Sequence, residues 1–435
     1  MNDTTIQSKW IYTDNGKLIE DGQIVVENGK IVYLGPEKSS EVPQGSEIRK
    51  YPKGMIVPPF INSHTHLPET LIRGIVDDVD FHEWLYDHVW KVEPKMKAGD
   101  AKIGALLGIA EMVASGTIGF IDQYFYSDEI AEAVFETGIK AFLFPSIFDG
   151  NPETGNINDA FKRNIVILQK WHKKDNRILV GFGPHAPYSL TTEEYEMIYE
   201  SAEKHNTLIH THLNETKREV KESIDKHGLS PIELMDKIGV LDRIIAAHCT
   251  NVSENDMQLL LSHKTSVLHC IQSNLKIAVG IGPIPEMVKR GINVCLGTDG
   301  SASNNNLDML EELRLTALIH KGVHYDPRLM DKNTVIQMGT KNASKVFGQN
   351  VYSGELGVGN NADLVVIDLD HVNTTPVIDP ISNWIYASDA RNVKLTMSNG
   401  NIVYDNGNFP TMDISSIVEN AQKSIDRMIQ ESNYK

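Results

Sequence analysis

The chain has 435 residues and a net charge of -17, long enough for a large domain with a smaller companion. Its 58 acidic against 41 basic residues argue against nucleic acid, which demands clustered cations, and against docking on anionic membranes. With 41% hydrophobic and 23% charged residues it is not a disordered chain, and a small neutral or polar molecule is the expected partner.

The start, MNDTTIQSKWIYTDNGK, lacks the basic-then-apolar layout of a secretory signal, and no run of about twenty apolar residues follows anywhere. WIYTDNGKLIEDG and QIVVENGKIVYLG place Asn-Gly between alternating strands, a strong hairpin signal. From Pro58 to Gln349, eight short apolar runs alternate with helical patterns: MIVPPFINSH, TIGFIDQY, AFLFPSIF, RILVGFGPH, TLIHTHL, IIAAHC, TSVLHC and NVCLGTD. That alternation predicts an α/β fold, a closed (β/α)₈ TIM barrel over 58–350. No GxGxxG or P-loop motif follows an early strand. Beyond it, ADLVVIDLD and KLTMSNGNIVYDNG return to strand-and-turn chemistry. The two ends are expected to pair into one discontinuous small β-sandwich domain, 1–57 with 351–411. The stretch 412–435, containing ISSIVENAQKSIDRMIQ, has the spacing of a docked terminal helix. Cys249, Cys270 and Cys295 show no CxxC pairing and read as reduced buried thiols of a cytoplasmic protein.

Most of the eight runs finish on a residue able to bind metal or move a proton. The first ends on His64 and His66, the second on Asp122, the fourth on His185. The fifth carries His210 and His212, the sixth His248, the seventh His269, and the eighth reaches Asp299. In a barrel all strand carboxyl ends meet on one face. Alternate strand residues point the same way, so His64 and His66 can approach one ion together. His212 and Asp299 are the best further ligands by position, leaving a site open to water. Such donors suit Zn²⁺ or another divalent first-row metal, zinc and ferrous iron alike. Glu215, just past the fifth strand, is placed to relay a proton, and His248 to polarise a substrate.

Blander readings stand beside these. His-X-His alone is explained by packing at least as well as by metal. His210 reads as a core residue, His269 divides evenly between core and pocket, and Asp122 reads as a structural acceptor. Glu215 has a rival role as a helix-start carboxylate favoured by the dipole.

At these residues the chain resembles the amidohydrolase superfamily, more narrowly the methylthioadenosine/S-adenosylhomocysteine deaminases and the related triazine hydrolases. The segments that carry this are PPFINSHTHLPETLIRG, FHEWLYDHVWKVEP, GFGPHAPYSL, HTHLNET, IIAAHC, SNLKIAVGIGPIPEMVKRGINVCLGTDGSASNNNLDMLEELR and SGELGVGNNADLVVID. The resemblance implies His64, His66, His212 and Asp299 as ligands of a single metal, since the fourth run lacks the lysine of binuclear relatives. It implies Glu215 as proton shuttle, His248 as the histidine contacting the attacking oxygen, Glu83 on ribose hydroxyls and His185 near the purine. The implied activity is hydrolytic deamination of an adenine-type nucleoside: methylthioadenosine, adenosine or S-adenosylhomocysteine. Removal of a group from another heterocycle (triazine, pyrimidine or guanine type) is the alternative. Glu215 would protonate the ring nitrogen, and it or Asp299 the departing ammonia. Of two arginines that hold the homocysteine carboxylate in the family, Arg177 matches one, while Asn156 stands at the other. That departure favours substrates without the carboxylate. A homodimer is compatible with the family.

Overall fold

The structure, a computed structural model, describes residues 3–13 and 16–434; the expected turn at Asn15-Gly16 therefore falls partly outside the described residues. The N-terminal segment forms β1 (Thr4–Tyr12), β2 (Leu18–Glu27), β3 (Lys30–Pro36) and β4 (Glu47–Val57). Asn28 and Gly29, both at positive φ (50° and 76°), turn β2 into β3, the backbone that the tight hairpin requires.

Parallel strands follow: β5 (Phe60–Thr65), β6 (Thr117–Tyr124), β7 (Lys140–Ile147), β8 (Ile178–Val180) with the short β9 (Gly183–Pro184), then β10 (Ile209–Leu213), β11 (Ile244–His248), β12 (Ser266–His269) and β13 (Val294–Leu296). Each expected run contributes a strand. β5 to β8 make one sheet, with β9 on β7, and β10 to β13 make another. A parallel bridge between Phe182 and Ile209 links the two. On the far side the Asp299 N–H donates to His64 O at 2.9 Å, bringing the end of β13 against β5. The parallel array is thus curled. Every residue of β6 and β7 is buried, as near-continuous apolar runs require when both faces of a parallel sheet are covered. Ile61, Ile121, Phe142, Phe144, Leu179, Ile245, Leu268 and Cys295, drawn from seven strands, share one buried cluster. The three cysteines are free and buried.

The chain then returns to its beginning. β14 (Leu364–Asp368), β15 (Val393–Ser398) and β16 (Asn401–Asp405) join the first four strands in one seven-stranded sheet of order β16-β15-β14-β4-β1-β2-β3. This sheet is tied to the parallel array by a buried ion pair. Lys140 Nζ lies 2.8 Å from Asp363 Oδ1 and donates to Asn399 Oδ1 at 2.8 Å. Replacing Lys140 by methionine is expected to cost about 3–5 kcal/mol, because Asp363 would stay buried without its partner; a shifted urea midpoint would register it. The terminal helix Ile414–Ser432 docks on helix Ala98–Ala114 through Arg427 and Asp100, with Ile417, Ala421 and Met428 buried. Among the described residues, no helix is long and apolar enough to cross a membrane.

Candidate active site

The carboxyl ends of β5, β6, β9, β10 and β11 and the turn after β13 open into one cavity. His66, Gln123, His185, His212, Glu215, His248 and Asp299 line it, with Phe81, Trp84, Leu85, Phe125, Phe148 and Tyr188 among its apolar walls. A largely apolar cleft with a few convergent polar groups is the usual form of a small-molecule site.

His64, His66 and His212 each have one ring nitrogen tied back and the other turned inward. His66 Nδ1 donates to Gln123 O at 2.6 Å, and His212 Nδ1 to His185 O at 2.7 Å. His64 Nδ1 lies 3.0 Å from His210 Nε2. Those bonds commit Nδ1 of His66 and of His212 to the backbone and turn their Nε2 atoms toward each other at 3.4 Å. His64 Nε2 is buried without a hydrogen-bond partner. Asp299 Oδ1 lies 3.4 Å from His64 Nε2 and 3.3 Å from His66 Nε2, while its Oδ2 accepts from the Ser273 and Ser303 hydroxyls at 2.7 and 2.9 Å. Ligand atoms of His64, His66 and His212 lie within 4.8 Å of one another, as do those of His64, His248 and Asp299. Converging imidazole nitrogens beside a buried carboxylate are a donor set that fits a divalent cation.

Electrostatics agree with this. Burial pushes His64 down to about 4 and His185 to about 3, and holds His212 well below the ordinary range, so these rings are neutral at pH 7. His66 goes the other way: burial opposes its charge, but Asp299 and Glu69 raise it to about 10. A proton on His66 and a cation in the cluster compete for one lone pair, so binding is favoured as pH rises. Burial also works against the charge on Asp299, yet the imidazoles of His64 and His66 close beside it hold its carboxyl well below the carboxylate range. Asn214, His248 and Asp299 have φ of 51°, 67° and 64°, left-handed backbone that non-glycine residues rarely adopt and that clusters at functional sites.

Glu215 Oε1 lies 3.7 Å from His248 Nε2. Burial, then the charge of Asp299, raises the Glu215 carboxyl, with His248 opposing. The rival helix-start role belongs to another residue. Glu219 closes a capping box with Thr216, and its carboxylate accepts from the backbone N–H groups of Asn214, Glu215 and Thr216 at 3.2, 2.8 and 3.4 Å. The loop is thereby held while the Glu215 side chain faces the cavity. His248 Nδ1 is 3.0 Å from Asn274 Oδ1, and Asn274 Nδ2 has no partner. With the amide turned, Nδ2 donates instead and His248 keeps its proton on Nε2.

Two expected substrate contacts are not at the cavity. Glu83 starts the helix Glu83–Val89, whose Trp84, Leu85 and Val89 face inward. Its side chain is 49% exposed, 3.9 Å from His88. Arg177 precedes β8, so it sits at the opposite end of the strand from the histidines, donating to the carbonyls of Val134 and Ile139 at 3.3 and 2.9 Å. Asn156 caps the helix Ile157–Trp171. His210 is buried as expected, but it also buttresses His64. Asp122 accepts from Leu67 N–H at 2.6 Å. His269 is buried and outside the cavity wall, its ring 5.9 Å from that of His320.

Two acidic residues of the wall were not foreseen. Glu93, ten residues beyond Glu83, is buried, and its Oε1 accepts from the Tyr124 hydroxyl at 2.7 Å. Glu69 lies three residues past His66. Burial raises both carboxyls. Among the described residues that line the cavity there is no lysine or arginine.

A curled parallel sheet with a histidine–carboxylate cluster at its strand ends has the layout that metal-assisted hydrolysis needs. The chain belongs to the amidohydrolase family, whose model matches residues 55–403. It is 38% identical over 419 residues to a 5-methylthioadenosine/S-adenosylhomocysteine deaminase of Thermoanaerobacter pseudethanolicus, covering 95% of this chain and 96% of the relative. It is 36% identical over 435 residues to a 5'-deoxyadenosine deaminase of Methanosarcina barkeri, covering 99% of each. An adenosine deaminase of Xanthomonas campestris, solved with bound zinc, superposes with a TM-score of 0.94 at 30% identity over 99% of each chain.

Proposed function

We propose that this chain is a hydrolytic deaminase that releases ammonia from an adenine-type nucleoside whose 5' substituent is uncharged. The observation that carries this reading is the convergence of His64, His66, His212, Asp299, Glu215 and His248 on one cavity floor. The deaminase relatives support it.

In this reading His64, His66, His212 and Asp299 hold one divalent metal, zinc first and ferrous iron as the alternative. When bound, such an ion supplies Lewis acidity and lowers the pKa of a water to about 7. Glu215, ionised at the outset, takes the water's proton and delivers it to the ring nitrogen beside the amino-bearing carbon. That transfer makes the carbon a better electrophile. His248, protonated on Nε2, donates to the attacking oxygen as charge gathers there. Asp299 orients the attack and accepts the second proton, which leaves with ammonia. Water has then replaced an amine, and the ring keeps a carbonyl.

His185 takes the purine, and Glu93 replaces Glu83 as acceptor for the sugar hydroxyls, its Oε1 on Tyr124 and Oε2 left for the ligand. The wall's lack of cationic residues favours methylthioadenosine, 5'-deoxyadenosine and adenosine over S-adenosylhomocysteine, whose carboxylate would face four carboxyl groups. We also propose a closed (β/α)₈ barrel over 58–350, a composite β domain of 1–57 with 351–411, a terminal helix in 412–435, and a cytoplasmic setting. The Phe182–Ile209 bridge and the Asp299–His64 hydrogen bond support closure.

An ammonia-release panel tests the function. The neutral nucleosides are expected to exceed S-adenosylhomocysteine in kcat/KM by about tenfold or more, the effect of one lost charge-assisted contact. Glu93→Gln should lose about 10²-fold on nucleosides, while Glu83→Ala stays within about twofold. No release from any adenine nucleoside would overturn the reading.

A further inference from the structure

The cavity wall holds a carboxyl group that the Ala302 backbone hydrogen-bonds, yet one of its oxygens has no partner among the described residues. Glu69 is 6% exposed, and its Oε2 has no hydrogen-bond partner. The side chain rises from the tight turn Leu67–Ile72, begun by the Glu69 N–H donating to His66 O at 2.9 Å. It packs over Gly300, where any Cβ would overlap Oε2. Glycine after Asp299 therefore makes room for this carboxyl.

A buried, unpaired acceptor costs stability, and an apolar side chain of similar length would fill the same space without that cost. Core packing does not explain the residue. Its position in the wall of the cavity does, if the missing donor arrives with the substrate. No lysine or arginine of the wall can serve. On an adenine nucleoside the amino group is committed to the reaction, which leaves the sugar hydroxyls as donors. Glu93, also in this wall, has one oxygen on Tyr124, so the two residues together offer acceptors for two adjacent O–H groups.

We infer that Glu69 is a specificity-determining residue: its free carboxyl oxygen accepts a hydrogen bond from one hydroxyl of the substrate's sugar, beside the one that Glu93 takes. This rests on the nucleoside reading above. A substrate lacking that hydroxyl leaves the acceptor buried and unmet, the situation in which hydrogen-bonding sites discriminate most strongly.

The test uses the full-length, metal-loaded enzyme with methylthioadenosine and its 2'-deoxy and 3'-deoxy counterparts, with metal content measured for every variant. Glu69→Met is expected to lose about 100-fold in kcat/KM on the ribonucleoside, and the near-isosteric Glu69→Gln about tenfold. On the analogue lacking the relevant hydroxyl, both should lie within about threefold of the parent. That analogue identifies the hydroxyl. Equal losses on all three substrates would overturn the inference while leaving the deaminase intact. Loss of metal in Glu69→Gln would also overturn it, placing Glu69 among the supports of His66. A parent enzyme inactive on every adenine nucleoside removes the functional reading itself, and Glu69's role with it, before any variant is made.

Discussion

Glu215→Gln is expected to lower kcat by about 10²–10⁴-fold, the range of a lost general acid–base group, with metal content unchanged. Glutamine keeps the shape of the side chain, and the loop stays anchored because Glu219, not Glu215, accepts its backbone N–H groups. What disappears is the exchange of a proton between water and ring nitrogen. The pH profile gives a second readout. Burial raises the Glu215 carboxyl above its ordinary 4.5, so its proton is held to higher pH than on an exposed glutamate. In the proposed mechanism catalysis begins with the ionised form, and kcat/KM is therefore expected to fall as pH drops through that raised pKa. The acidic limb should lie above the position of an ordinary carboxylate and vanish in the variant. A glutamine variant with full activity, or an unshifted limb, would remove Glu215 from the proton path.

Much of this site is legible in the sequence because parallel strands place their ends together. His64, His66, His212, His248 and Asp299 needed only the strand pattern to be brought to one place. The capping box Thr216-Lys217-Arg218-Glu219 was also readable, and it already released Glu215 from the helix-start role. Position relative to the strand decides against Arg177: a residue before β8 lies at the end away from the site. Glu83 and Glu93 are harder. The segment between them opens as a wide-turn π helix, Glu83–Val89, whose i to i+5 bonding shifts which side chains face inward. The choice of Glu83 rests on the resemblance, and no helical period points to Glu93. The support of His64 by His210 and the left-handed φ at His248 and Asp299 depend on tertiary geometry that no local pattern carries.

Asp299→Asn is expected to abolish turnover and to lower metal affinity by more than the roughly 10–100-fold that loss of a mere supporting partner costs. Asp299 Oδ1 is the carboxylate oxygen facing both His64 and His66, while Oδ2 is held by Ser273 and Ser303. An asparagine can keep one serine contact but brings no charge to balance a dication among neutral imidazoles. Thermal unfolding reports this independently of activity. A ligand binding only the folded state stabilises it by about 4 kcal/mol at a thousandfold excess over Kd, so the parent's Tm should fall on chelation and recover with zinc. Activity should follow the same course. The Asn variant should show little response of Tm to either treatment. Should it instead retain one equivalent of metal and the full Tm response, the three histidines with His248 would be the ligand set. Asp299 would then act on protons alone.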